Sequence, residues 1–192
     1  MTTGTETIVL VGLMGTGKTT IAKVLATRRG LECLDTDRMI ESREGKSVRD
    51  IFSNDIFSND GEDAFRSLET AMLTECLQRP GGVVIAAAGG AVVREENRRV
   101  LDDARQQKGV IVVWLHARPE VLAQRTAKGV HRPLLDQNRQ ATLEKMSEER
   151  GPLYASVADI VIDVSDRDVD SIVGLLVEAL DEGQMMLDGS NG

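Results

Sequence analysis

GLMGTGKT (Gly12–Thr19) stands between a short apolar run, TIVLVG (Thr7–Gly12), and a helical stretch that stops at Gly30. It fits the pattern G-x-x-x-x-G-K-[ST], and a match by chance arises in roughly 1 in 200 chains of this length. The flanking strand and helix make chance rarer still. Glycines let successive backbone N–H groups curl around a phosphate at the positive end of a helix. In such a loop Gly15, Thr16, Gly17 and Thr20 present backbone and hydroxyl to the phosphates. Lys18 reaches the β- and γ-phosphates, and the Thr19 hydroxyl suits Mg²⁺. The motif calls for a nucleoside triphosphate and Mg²⁺ and says nothing about what receives the phosphate.

Outward from the loop, strands alternate with helical stretches. LECLD (Leu31–Asp35), VVIAAAGG (Val83–Gly90), VIVVWLHA (Val110–Ala117) and DIVIDV (Asp159–Val164) read as four further strands. GEDAFRSLETAMLTECLQR repeats Phe65, Leu68, Met72, Leu73 and Leu77 at helical spacing until Pro80-Gly81-Gly82 breaks it. A last helix is expected over Asp168–Asp181. Such alternation predicts an α/β fold, a parallel sheet covered on both faces. Its binding crevice lies beyond the carboxyl ends of the strands, where Gly12, Asp35, Asp37, Gly89, Gly90 and His116 fall.

The 192 residues fit one domain, with 41% hydrophobic and 28% charged residues marking a globular chain. A net charge of −8 repels polyphosphate and anionic lipid, so neither nucleic acid nor a membrane surface is an expected partner. It leaves room for a local basic pocket that takes one small anion. Cys33 and Cys76 form no disulfide framework or metal spacing and read as buried small apolar residues. His116 and His131 have no further ligand types at a metal-binding spacing, and His131 reads as a solvated histidine. The N-terminus reads as a first strand and not as a targeting signal, which gives a cytoplasmic expectation. No heptad or long apolar face is evident, so a monomer is expected.

On the acceptor side two readings stay open. Asp35 and Asp37, two apart at the end of a strand, would share a face. One could then serve the magnesium shell while the other meets an acceptor hydroxyl. Alternatively the pair marks a strand-to-helix turn with Asp37 as N-cap. Arg66, Arg132, Arg150 and Arg167 are either solvated surface groups or the walls of a small-acid pocket. Guanidinium pairs with carboxylate in a directional, bidentate way.

In order and at close to the usual spacing, GLMGTGKTT, LDTD, DGEDAFRSLE, AGGAVV, HRPLL and ERGPLY resemble the shikimate kinase family from about residue 7 to 181. The resemblance implies a three-layer nucleoside-monophosphate-kinase fold with five parallel strands, all in one domain over residues 1–182. An acceptor-binding region would span about 36–67 and a mobile lid about 126–138, with 183–192 as a disordered tail. Asp35 would join Thr19 at the metal. Asp37 would bind shikimate and act as base. Arg66 and Arg150 would clamp the shikimate carboxylate beside Gly89 and Gly90. Arg132 would close over the phosphates, and Arg125 and Arg167 would flank the adenine. The reaction implied is transfer of the ATP γ-phosphoryl to the 3-hydroxyl of shikimate. The alternatives are a gluconate or nucleoside monophosphate kinase, or a non-catalytic ATP-binding regulator.

Two departures from the family pattern stand out. Ala88 occupies the first place of a run usually made of three glycines. IFSNDIFSND (Ile51–Asp60) repeats five residues in tandem. Five residues added inside a continuous helix would turn every residue downstream by about 140° past a full turn. The expectation is therefore that the first copy ends a helix and the second forms a surface turn, with Arg66 kept in place. Phe52 and Phe57 would compete for one buried position.

Overall fold

The computed structural model describes residues 6–48, 51, 59–127 and 138–189. Its sheet is formed by β1 (Ile8–Val11), β2 (Glu32–Asp35), β3 (Val83–Ala86), β4 (Ile111–His116) and β5 (Ile160–Asp163). All pair in parallel, in the order β2-β3-β1-β4-β5. The helices are α1 (Lys18–Arg29), α2 (Thr36–Glu44), α3 (Asn59–Leu77), α4 (Glu95–Lys108), α5 (Pro119–Ala127), α6 (Arg139–Val157) and α7 (Val169–Gly189). The five expected strands and the two-faced covering are all present. Helices α4, α5 and α6, which apolar periodicity does not announce, complete the layers. Among the described residues no helix is long and apolar enough to cross a membrane.

The side chains of the sheet explain its central place. IVLV of β1 and VVIA of β3 are buried on both faces, as parallel strands between two helical layers must be. β5, at an edge, alternates between half-buried and exposed residues. Helix α1 packs on β3 and α7, whereas α4 and α6 pack on β4. The chain leaves β1 toward β2 but leaves β3 toward β4, on the other side of β1. Right-handed crossovers in opposite directions put their helices on opposite faces and open a crevice between the ends of β1 and β3. Gly12 lets β1 enter that crevice, because a Cβ there would collide with the Leu115 carbonyl of β4.

A second, smaller apolar cluster joins α2 to α3: Ile40, Ile51, Phe65 and Met72 are buried together, with Met39, Val48 and Leu68 around them. Ile51 is the first residue of the tandem repeat, and Asn59 and Asp60, its last two, are the opening residues of α3 and not part of a turn. Residues 52–58 lie outside the described residues, as do Phe52 and Phe57. Helix α7 is longer than its apolar periodicity, continuing to Gly189 into the segment read as a tail. Cys76 is buried, but Cys33 is only half-buried.

Since Ile51 is buried among side chains of both helices, Ile51→Ala is expected to cost about 2 kcal/mol in denaturant unfolding. A loss below about 0.5 kcal/mol would show that the smaller cluster does not depend on the first copy of the repeat.

Candidate active site

The loop after β1 is shaped by its own groups. Gly15 and Gly17 take left-handed backbone, with φ of 86° and 90°. Between them Thr16 is buried, and its hydroxyl donates to the Leu13 carbonyl at 2.8 Å. Lys18 folds back over the loop and donates to the carbonyls of Gly12 at 2.7 Å and Leu13 at 3.0 Å. No side chain caps α1 at Gly17, so the positive end of that helix opens where the loop curls.

Thr19, on the first turn of α1, donates through Oγ1 to Oδ2 of Asp35 at 2.7 Å. The other oxygen of Asp35 accepts the Arg38 N–H at 3.2 Å and caps α2. This corrects two expectations. The N-cap is Asp35 and not Asp37, and the two aspartates do not share a strand face because β2 ends at Asp35. Asp37 lies in the first turn of α2, half-buried, where burial pushes its carboxyl up to about 6. Lys18 opposes that rise, while Asp35, Glu69 and Glu41 add to it.

The end of β3 forms the opposite wall. Ala88 is buried with ordinary backbone, since no described non-glycine residue has positive φ. Its N–H donates to Thr36 Oγ1 at 2.8 Å, so the extra methyl costs this strand end nothing. Gly90 has a different reason to be glycine: a Cβ there would strike the Arg66 guanidinium. Arg66 pairs with the buried Glu69 at 2.7 Å, one helical turn along α3. Burial raises the Glu69 carboxyl, against the pull of Arg66, Arg150 and Arg94. Arg150 is not beside a turn, as its Gly-Pro neighbours suggest, but inside α6, and it donates to the Gly89 carbonyl at 3.3 Å. Arg94 anchors the start of α3, donating to Asp63 and to Ser67 at 3.0–3.1 Å.

At the far side of the loop Arg125 donates to the carbonyls of Val164 and Ser165 at 2.7 and 3.1 Å, holding the turn that leads to the exposed Arg167. The structure therefore gathers Lys18, Thr19, Asp35 and Asp37 at the phosphate loop, and Arg66, Arg150, Gly89 and Gly90 at the end of β3. Arg132 and His131 lie outside the described residues, with nearly all of the expected lid. Sequence reasoning missed Glu69, Tyr154, Thr36 and Arg94. The first two were within reach, since each stands three or four residues along a helix from an arginine already singled out.

The family model for shikimate kinase matches residues 14–181. The chain is 42% identical over 178 residues to a shikimate kinase of Halorhodospira halophila, covering 92% of this chain and 94% of the relative. It is 39% identical over 172 residues to one of Thermobifida fusca, covering 90% and 93%. The chain belongs to the shikimate kinase family. Among solved structures, the Acinetobacter baumannii shikimate kinase in complex with shikimate superposes with a TM-score of 0.81 at 33% identity, covering 93% of this chain and 94% of that one. The phosphate-loop kinase architecture implied by the sequence is thus the architecture of its family.

The raised carboxyl of Asp37 has a consequence for stability. Its folded value lies above the unfolded one, so the ionised group opposes folding, from about pH 4 upward and fully above about pH 6. Asp37→Asn is therefore expected to raise Tm at pH 8 by about 2–6 °C, with the gain shrinking toward pH 4. A gain that is absent at pH 8, or that does not vary with pH, would contradict the crowding of carboxylates around Asp37.

Proposed function

We propose that this member of the family transfers the γ-phosphoryl of ATP to the 3-hydroxyl of shikimate, giving shikimate 3-phosphate and ADP. One observation carries the reading beyond family membership. A carboxylate with raised affinity for a proton, Asp37, stands between a phosphate loop and a buried Arg66–Glu69 pair facing Arg150. A phosphoryl donor, a proton acceptor and a recognition group for a small acid are then adjacent.

In this reading the backbone of Gly15–Thr20 and the Lys18 ammonium hold the phosphates, and Lys18 exchanges its loop carbonyls for phosphate oxygens. Arg66 and Arg150 take the shikimate carboxylate, with Gly89 and Gly90 beneath the ring. Asp37 accepts the hydroxyl proton as the oxygen bonds to the γ-phosphorus and the bond to the β,γ-bridging oxygen breaks, releasing ADP. Arg132 neutralises charge on the transferring group, and Arg125 and Arg167 border the adenine. The donor set at Thr19 and Asp35 suits Mg²⁺, a hard cation that takes one or two protein oxygens and fills the rest of its shell with water and phosphate. When bound, Mg²⁺ neutralises phosphate charge. Phosphoryl transfer needs positioning and charge neutralisation more than covalent help, and these groups supply both. We further propose a cytoplasmic monomer whose acceptor-binding region and lid occupy about 36–67 and 126–138.

ADP release with ATP and Mg²⁺ tests the reading. Release is expected with shikimate and at background levels with gluconate or CMP. Under the same assay kcat/KM should fall as pH drops below about 6, where Asp37 takes up its proton. Acceptor-independent release, or gluconate as the better acceptor, would overturn the assignment.

Arg132→Ala should lower kcat at least about 10²-fold, with ATP affinity changed far less, because a positive group acting on the transferring phosphoryl works in the transition state. Unchanged turnover would remove Arg132 from the reaction.

A further inference from the structure

Tyr154 has no part in the proposed phosphoryl transfer, yet it is the largest fully buried side chain, only 1% exposed. Its hydroxyl donates to the Gly89 carbonyl at 2.6 Å and is close enough to the Arg150 guanidinium for that charge to oppose the rise of the phenol pKa. Arg150 donates to the same carbonyl at 3.3 Å. The phenol and the guanidinium thus share one acceptor, the Gly89 carbonyl, and stand side by side on it. Burial pushes the phenol up to about 12, so the donor is kept at every working pH.

Three features make this hydroxyl a reference point and not one contact among many. Its ring cannot shift, because it stacks on Trp114 of β4 with centroids 5.8 Å apart, and Trp114 in turn meets His116 edge-on at 5.2 Å. The helix between the two residues is weak: Gly151 and Pro152 lie inside α6, and Pro152 has no N–H to give the Glu148 carbonyl. The backbone turn that carries Arg150 thus lacks one of its own restraints. Finally, the Gly89 carbonyl is turned toward α6, so the trans peptide turns the Gly90 N–H to the opposite side, away from that helix. One oxygen atom therefore fixes both the arginine and the peptide beneath the acceptor.

We propose that Tyr154 is a positioning residue for acceptor recognition, whose buried hydroxyl holds the Gly89 carbonyl that Arg150 also bonds and so sets the place of that arginine over the glycine floor. The proposal rests on the reading of Arg150 as a carboxylate-binding group. It assigns the hydroxyl an effect on one substrate only. Gly89 packs beside Gly12 and Met14, but neither hydrogen bond to its carbonyl is made by a phosphate-loop group, so KM for ATP should move far less than KM for shikimate.

Tyr154→Phe in the full chain removes the oxygen and keeps the ring and its stack. The expected result is a rise of about tenfold in KM for shikimate, with KM for ATP and kcat each within about twofold of wild type. In an Arg150→Ala background the same change should add little, since the hydroxyl acts through that arginine. A shikimate KM unchanged by Tyr154→Phe, beside a wild type that turns over normally, overturns this proposal alone. Full additivity with Arg150→Ala also overturns it. A Tm fall of more than about 10 °C with both KM values displaced assigns the hydroxyl to holding the fold, and has the same effect. A wild type without shikimate-dependent ADP release overturns the functional reading and this proposal together.

Discussion

Glu69 is 3% exposed, and a carboxylate does not remain charged at such a place without a cation at contact distance. Arg66 supplies it at 2.7 Å from the same face of α3. The pair then dictates its surroundings. Gly90 must be glycine so that the guanidinium can lie against the chain, and α3 must keep the phase that points both residues at the end of β3. Phe65 and Met72 fix the same phase from the apolar side, in the cluster with Ile40 and Ile51. Arg94 fixes it a third time through Asp63 and Ser67. With α3 locked by three independent contacts from Asp63 onward, five additional residues upstream cannot rotate Arg66.

The two aspartates show how one short segment yields two kinds of carboxylate. Asp35 caps α2 with one oxygen and accepts the Thr19 hydroxyl with the other. Asp37 sits two residues on, faces three other carboxylates and is raised by burial to about 6, with Lys18 as the counterweight. Environment, and not residue type, separates the group suited to a cation from the group suited to a proton.

What the sequence disclosed and what it hid divide along the range of the interactions. The phosphate loop was legible because its strand, glycines, lysine and helix are contiguous, and the strands because short apolar runs alternate with helical stretches, those of β1 and β3 being buried on both faces. The cap of α2 was misjudged at Asp37, since the choice between two aspartates two residues apart rests on which carboxylate reaches the Arg38 N–H. Glu69 offered only its three-residue spacing from Arg66 as a signal, because a glutamate on a helix is ordinarily solvated and only the fold brings Gly90 over the pair. Tyr154 was hidden by its neighbours: Gly151-Pro152 reads as a break, yet α6 runs through it, held by the stack on Trp114 and the bond to Gly89. In each hidden case the deciding partner is distant in sequence.

A chain with net charge −8 that is built to take two anions poses an apparent contradiction. It resolves by distance. The far field of the protein decays over about 8 Å at physiological ionic strength, so it slows the capture of anions more than it weakens them once bound. In the proposed reading the bound state is decided by groups at contact range: the open end of α1, Lys18, Arg66 and Arg150. Those groups are held in place before any ligand arrives, by loop carbonyls, by Glu69, and by Tyr154 with Gly89, so little ordering entropy remains to oppose binding. An extended polyanion meets the far field along its whole length, whereas a small acid meets only the pocket. A net charge that repels an extended polyanion is therefore compatible with the proposed site for a small carboxylate and a triphosphate.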